Sequence, residues 1–276
     1  MKRIVTIQDI SCLGKCSLTV ALPIISAMGV ETAVVPTAVL STHTMFREFT
    51  FHDLTDEMTP IADHWEREGF AFDAIYTGYL GSFEQLGLVS KFFDRFGGEG
   101  TTVVVDPVMA DNGKLYAGFT PAFAREMANL VKKADLVIPN LTEACFLLDI
   151  PYRTDFTEAE LKEILVRLTA LGPRYAALTG VALTPGRLGV MSYDREEKTF
   201  FHYDREYLSV SFHGTGDIFA STTTGGLARG LSMQDALTLA VDFTVESMLK
   251  TLAEPNHNTY GVNFEEAIPL LCERLK

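Results

Sequence analysis

Positive charge is scarce in this sequence: 23 Lys and Arg stand against 36 Asp and Glu, a formal net charge of −13, with an isoelectric point near 4.9. A nucleic-acid partner needs a basic face, and no stretch of the chain gathers one, so DNA and RNA are not expected partners. An anionic membrane surface is disfavoured for the same reason. Long apolar runs are missing too. A membrane span needs about 18 or more consecutive apolar residues, whereas the longest apolar region, residues 19–30, is interrupted by Pro23, Ser26 and Gly29. The first residues turn polar at Gln8-Asp9 before a signal-type apolar segment forms, so a cytoplasmic protein is expected. Cysteine is limited to Cys12, Cys16, Cys145 and Cys272, without any Cys-x-x-Cys pair, which suits reduced thiols better than disulfides or zinc. The Cys12-x3-Cys16 spacing would align two thiols on a helix face, but plain packing is the simpler reading.

What is present is a core. Hydrophobic residues make up 47% of the chain and charged residues 21%, which excludes disorder. No linker, repeat or low-complexity tract divides the 276 residues, so one domain spanning 1–276 is expected. Short β-branched runs alternate with longer amphipathic stretches, the pattern of an α/β protein whose mostly parallel central sheet carries helices on both faces. Strands are expected at residues 3–7, 32–35, 74–77, 101–105, 136–138 and 175–178, then a hairpin of 189–193 and 199–203 around a solvated turn at 194–198. The clearest helices are 232–252, opened by Ser232-x-x-Asp235, and 157–171, with Thr157 as N-cap, Glu160 at the third position and Gly172-Pro173 as the stop. Residues 41–53 hold two His and several Thr without clean periodicity and read as an active-site flap or an irregular connection.

In an open α/β sheet the ligand crevice lies outside the carboxyl ends of the strands. Polar residues follow four strand runs here: Gly78-Tyr79, Asp106-Pro107, Asn140 with Glu143, and Thr179-Gly180. Singly each is an ordinary turn or cap residue, but topology brings strand ends together. The sharpest local feature is Gly214-Thr215-Gly216-Asp217 ahead of the apolar run Ile218-Phe219-Ala220. Glycines at a helix start let backbone amides converge on an anion, and Asp217 would accept a hydroxyl proton before the same amides. The bland alternative is a flexible turn with Asp217 near a helix start. Other nucleotide motifs fail. A Walker A loop ending at Gly14-Lys15-Cys16 would need Gly at Asp9 and Ser or Thr at Cys16, and a dinucleotide fingerprint from Gly214 puts Phe219 where its third Gly belongs. Neither G-x-S-x-G nor H-E-x-x-H occurs. Of six scattered histidines, His43 belongs at a site through its loop, and His213 lines the glycine turn.

Taken in order, Gln8-Asp9, Gly14, Ser41-Thr42-His43-Thr44, Thr77-Gly78-Tyr79, Asp106-Pro107-Val108-Met109-Ala110-Asp111, Pro139-Asn140-Leu141-Thr142-Glu143 and Gly214-Thr215-Gly216-Asp217 make the chain resemble pyridoxal kinases of the ribokinase-like superfamily nearly end to end. The resemblance implies ATP-dependent phosphorylation of the 5′-hydroxymethyl group of pyridoxal, pyridoxine or pyridoxamine, in vitamin B6 salvage, by a single α/β domain that dimerises with itself. It implies Asp217 as general base, with the amides of Gly214, Thr215 and Gly216 as the anion hole. Asp106, Asp111 and Glu143 would surround Mg²⁺, partly through water. Asn140, Thr179 and Gly180 would contact the ATP phosphates, and Asp9, His43, Thr44 and Tyr79 the pyridine ring. A monovalent cation such as K⁺ is a further implied activator. Two positions depart from the family: Asp9 replaces a ring-touching Ser, and His213 stands where a small or aliphatic residue is usual. A hydroxymethylpyrimidine kinase is the alternative enzyme, a sugar or nucleoside kinase the third, and a catalytically silent ligand sensor the alternative of another class.

Overall fold

The computed structural model describes Met1–Lys276. In chain order its elements are β1 (Arg3–Ser11), α1 (Leu18–Ala27), β2 (Glu31–Leu40), β3 (Phe51–Asp53), α2 (Thr55–Arg67), β4 (Ala74–Thr77), α3 (Phe83–Phe96), β5 (Thr102–Val105), β6 (Ala110–Asp111) and β7 (Lys114–Leu115). They continue as α4 (Pro121–Val131), β8 (Leu136–Val137), α5 (Leu141–Leu147), α6 (Glu158–Ala170), β9 (Tyr175–Val181), β10 (Arg187–Asp194), β11 (Thr199–Glu206), α7 (Thr215–Ala228), α8 (Met233–Ala253) and α9 (Phe264–Arg274).

Nine strands form one sheet in the order β11-β10-β9-β8-β5-β4-β1-β2-β3, parallel from β9 through β2 and antiparallel at the two edges. The expected architecture is therefore the observed one. β1 leads by α1 to β2 on one side, and the chain then crosses to β4 on the other side. That reversal beside β1 is the topological switch point, where a crevice opens at the carboxyl ends of the strands.

The parallel strands bury both faces. Val5, Ile75, Val103, Val105, Val137 and Leu178 point into the larger cluster, under α2 to α6, while Ile4, Tyr76, Val104, Leu136 and Ala177 point to the other side. There α1 packs on α7, α7 on α8 and α8 on α9. The period of two is what lets short, nearly all-apolar strands serve two layers of helices.

Four expectations need correction, the first being β2, which runs from Glu31 to Leu40 instead of 32–35. β1 runs on to Ser11, so Gln8 and Asp9 lie inside the strand. β9 likewise runs through Thr179 and Gly180 to Val181. Both extensions carry polar residues, whose partners are Thr6, Ser11 and Ser17 for Gln8 and Asp9 and the Pro139 carbonyl for Thr179. The last three residues of 41–53 form β3, an exposed edge strand paired with Ala38, Val39 and Leu40 of β2. The rest of that stretch is a loop whose base is closed by two bonds, Ser41 N–H to Thr50 O at 3.1 Å and Thr50 N–H to Ser41 Oγ at 2.9 Å. All four cysteines are free, and Cys12 and Cys16 lie in the turn after β1 rather than on a helix.

Candidate active site

The Gly214-Thr215-Gly216-Asp217 turn opens α7. Gly214 is the N-cap with φ 80, a left-handed conformation, and a Cβ there would stand 2.0 Å from the Lys15 carbonyl oxygen. Only glycine fits both demands. Gly216 has no heavy atom within 4 Å of where a Cβ would be, so its backbone is open on that side. The Thr215, Gly216 and Asp217 amides that open this 14-residue helix donate to no backbone acceptor, and the helix dipole adds partial positive charge. Asp217 sits in this first turn, beside the Ser17 backbone N–H. Burial and the neighbouring Asp9 carboxylate push its pKa up to about 7, the range a general base needs at neutral pH.

Asp9 reaches the same place from β1. It is 4% exposed, accepts from Ser17 Oγ at 2.6 Å and Ser11 Oγ at 3.1 Å, and is shifted upward because burial outweighs those bonds. Tyr79 is half-buried beyond β4 and close enough to feel the Asp9 charge; its ring stacks on Phe119 with centroids 5.6 Å apart. A Cβ on Gly78 would meet Gln8 Oε1 at 2.1 Å, so glycine there lets the strand end close over β1. Asp9, Tyr79 and Asp217 are thus brought together at the switch point.

The acidic set is more divided than the resemblance implies. Asp106 is buried, faces Glu143 and Asp217, and is raised well above the usual carboxylate range, burial being the largest cause. Glu143 is buried too, but both of its oxygens are engaged. One accepts from Met109 N–H and the other from Asn140 N–H, each at 2.9 Å, while Asn140 Oδ1 accepts from Glu143 N–H. This capping box opens α5, and Asn140 Nδ2 donates to Ala110 O at 2.8 Å. Asn140 and Glu143 therefore tie the 106–111 turn to α5. Asp111 is exposed, with both oxygens accepting from Asn112. No three His, Cys, Asp or Glu side chains converge as a metal-binding group. Mg²⁺ is ordinarily held by one or two carboxylates with phosphates and waters. Asp106, buried and without a cationic or side-chain partner, fits that smaller role.

Thr179 N–H donates to Pro139 O at 3.0 Å, which brings it beside Asn140. Gly180, exposed at φ 72, is skipped where Thr179 pairs with Val190 and Val181 with Gly189, a bulge near the end of β9.

His43 is held differently from the expectation. Its Nδ1 accepts from Met45 N–H at 3.3 Å, so Nε2 carries the proton and donates to Tyr260 O at 2.9 Å. Both nitrogens are engaged, burial lowers the pKa, and the ring is neutral and 6% exposed. His213 lies against it at 4.8 Å between centroids, and Gly14 beneath admits no Cβ, which would stand 2.1 Å from His43 Cδ2. Thr44 is exposed on the loop. Ser17 and Tyr260, which hold Asp9 and His43, carry no sequence signal: one reads as an N-cap, the other lies 217 residues from its partner.

A doubly covered, mostly parallel sheet with a carboxylate behind a glycine anion turn defines an ATP-dependent small-molecule kinase of the ribokinase-like class. The chain belongs to the phosphomethylpyrimidine kinase family, whose model matches residues 21–263. It is 28% identical over 268 residues to the pyridoxine/pyridoxal/pyridoxamine kinase of Bordetella avium, covering 90% of this chain and 85% of that one. It is 33% identical over 227 residues to the chloroplastic thiamine biosynthetic bifunctional enzyme TH1 of Arabidopsis thaliana; that match covers 80% of this chain and only 42% of the Arabidopsis protein. Among solved structures, a candidate phosphomethylpyrimidine kinase of Bacteroides thetaiotaomicron, in its orthorhombic form with pyridoxal, superposes with a TM-score of 0.94 at 41% identity, covering 98% of this chain and 96% of that one. No helix is long and apolar enough to cross a membrane.

Proposed function

We propose that the chain transfers the γ-phosphoryl group of ATP to the 5′-hydroxyl of a B6 vitamer. The observation that carries this reading is Asp217 in the first turn of α7, its pKa about 7, beside the Thr215 and Gly216 amides, which have no backbone acceptor. As the hydroxyl oxygen bonds to phosphorus and the bridge to ADP breaks, Asp217 takes the hydroxyl proton and the amides of Gly214 to Asp217 face the equatorial oxygens. Asp9, Tyr79 and His43 hold the ring, with Thr44 at the rim. Thr179 and the Gly180 backbone lie toward the ATP phosphates, while Asn140 and Glu143 act by fixing the turn that carries Asp106. Asp106, with Asp111 through water, would hold Mg²⁺, which when bound neutralises phosphate charge. The homodimer, the K⁺ site and a cytoplasmic location belong to the same reading.

The test is ATP consumption with Mg²⁺ against pyridoxal, pyridoxine, pyridoxamine, hydroxymethylpyrimidine, ribose and a nucleoside. Turnover of the vitamers is expected. The family match and the TH1 likeness favour a second reading, hydroxymethylpyrimidine as acceptor, and turnover of that compound alone would establish it. Ligand binding without turnover of any acceptor would make the protein a sensor. Within the B6 reading, Asp9→Ser exchanges an acceptor-only carboxylate for a hydroxyl that also donates. It is expected to reorder kcat/KM among the three vitamers while leaving KM for ATP near its original value. A change confined to ATP would remove Asp9 from the ring.

A further inference from the structure

We propose that Ser17 is a positioning residue that fixes Asp9 relative to Asp217 across the acceptor end of the crevice. The inference rests on the reading of Asp217 as base and Asp9 as ring contact, and it adds what holds the two in register.

The Ser17 hydroxyl is diverted from its ordinary use. Ser17 is the N-cap of α1, where a serine oxygen would accept an amide N–H from the first helical turn. It makes no such bond and donates instead to Asp9 Oδ1 at 2.6 Å. Its backbone faces the other carboxylate, with the Ser17 N–H beside Asp217. One residue therefore adjoins both acids, bonded to the first through its side chain and facing the second with its main-chain N–H.

The conformation that allows this is strained. Ser17 has φ 53 and ψ −131, a region that glycine enters freely and a residue with a Cβ does not. Lys15 at φ 53 and Gly14 at φ 137 precede it, so the whole turn is held out of the ordinary regions. Its surroundings impose that shape. The Lys15 carbonyl lies under Gly214, the His43 ring lies on Gly14, and Lys15 Nζ is drawn to Asn263 Oδ1 at 3.1 Å and Glu265 Oε2 at 2.8 Å. Glycine would suit position 17 better as backbone, and the hydroxyl is what serine adds.

Asp9 needs such a holder. The ionisable groups facing it are Tyr79, Cys16 and Asp217, none of them a cation. Its orientation therefore depends on the hydroxyls of Ser17 and Ser11. Losing the shorter of these bonds frees Oδ1 and lets the carboxylate turn away from the acceptor.

Ser17→Gly and Ser17→Ala, each in the full chain, separate this role from a merely structural one. Both remove the hydroxyl, but only glycine also relieves the backbone. The Gly variant is expected to melt at or above the wild-type temperature, yet to lose about tenfold in kcat/KM for pyridoxal with KM for ATP unchanged, the scale of a lost hydrogen bond to a charged group. The Ala variant should show the same kinetic loss at a lower melting temperature. In an Asp9→Ser background, Ser17→Gly should cause no further loss, because the group it positions is gone. Wild-type acceptor kinetics in either single variant, activity restored in the more stable Gly variant, or an undiminished effect in the Asp9→Ser background would each overturn the proposal. Turnover of pyridoxal by the wild-type chain is the separate test of the underlying reading.

Discussion

Asp217→Asn is expected to fold, to bind nucleotide, and to lose roughly 10²-fold or more in kcat, the scale of a missing general base. The carboxyl sits at about 7 because burial disfavours its charge and Asp9 adds to the effect. The other ionisable groups around it, Cys16, Tyr76, Asp106 and Tyr116, include no cation to reverse that shift. In the free wild-type enzyme, kcat/KM for the acceptor should therefore rise with pH through about 7 as the base loses its proton, and that limb should vanish in the Asn variant. Stability moves the opposite way. Between the unfolded value of 3.8 and the folded value of about 7, the folded state holds a proton that the unfolded state has released. Wild-type stability thus falls as pH rises across that window and is level above it. Asparagine removes the term, so the variant should gain melting temperature over wild type at pH 8 and little at pH 4. Near-wild-type turnover would take Asp217 out of the mechanism, and a variant that melts lower at pH 8 would contradict the burial account.

What the sequence discloses follows from which interactions are local. The β-branched runs that lie between two helical layers are legible because burial on both faces leaves few polar residues in them; Ala74–Thr77 matches residue for residue. Strand ends are misjudged where polar residues continue the strand. Gln8 Nε2 donates to Thr6 and Asp9 accepts from Ser11 and Ser17, so neither terminates β1. The three exposed residues of β3 have no periodicity to show. The Thr157–Glu160 capping box was legible from spacing alone, and Asn140–Glu143 has the same spacing and the same geometry. The resemblance implies phosphate and metal contacts for these two residues, and the capping box is the part of their role that spacing alone discloses. The glycine turn at Gly214 is local and stands as expected at the start of α7. The grips on His43 and Asp9 come from Tyr260 and Ser17, contacts set by the tertiary fold and invisible to spacing.

Glu143→Ala should be the most destabilising change at the site, for reasons unconnected with catalysis. Glu143 is 3% exposed, and its removal leaves the Met109 and Asn140 amides without acceptors while half of the α5 capping box is lost. Two unmet buried donors and a lost cap together cost about 2–4 kcal/mol, or a fall of about 5–15 °C in melting temperature for a chain of this size. Glu143→Gln keeps one carboxyl-type oxygen but turns an amide donor toward an N–H donor, so about half of the loss is expected. The turn this side chain holds is itself strained, with Val108 at φ 32, and without its anchor should relax away from the geometry that carries Asp106. The kinetic consequence is then indirect: KM for Mg²⁺-ATP rises because Asp106 is displaced. Melting in the absence of nucleotide and Mg²⁺ separates the two roles. A clamp lowers the melting temperature there in full, whereas a residue serving mainly the metal would leave it unchanged and raise only the Mg²⁺ requirement. Each Glu143 oxygen accepts a backbone N–H, from Met109 and from Asn140, so the first outcome is expected.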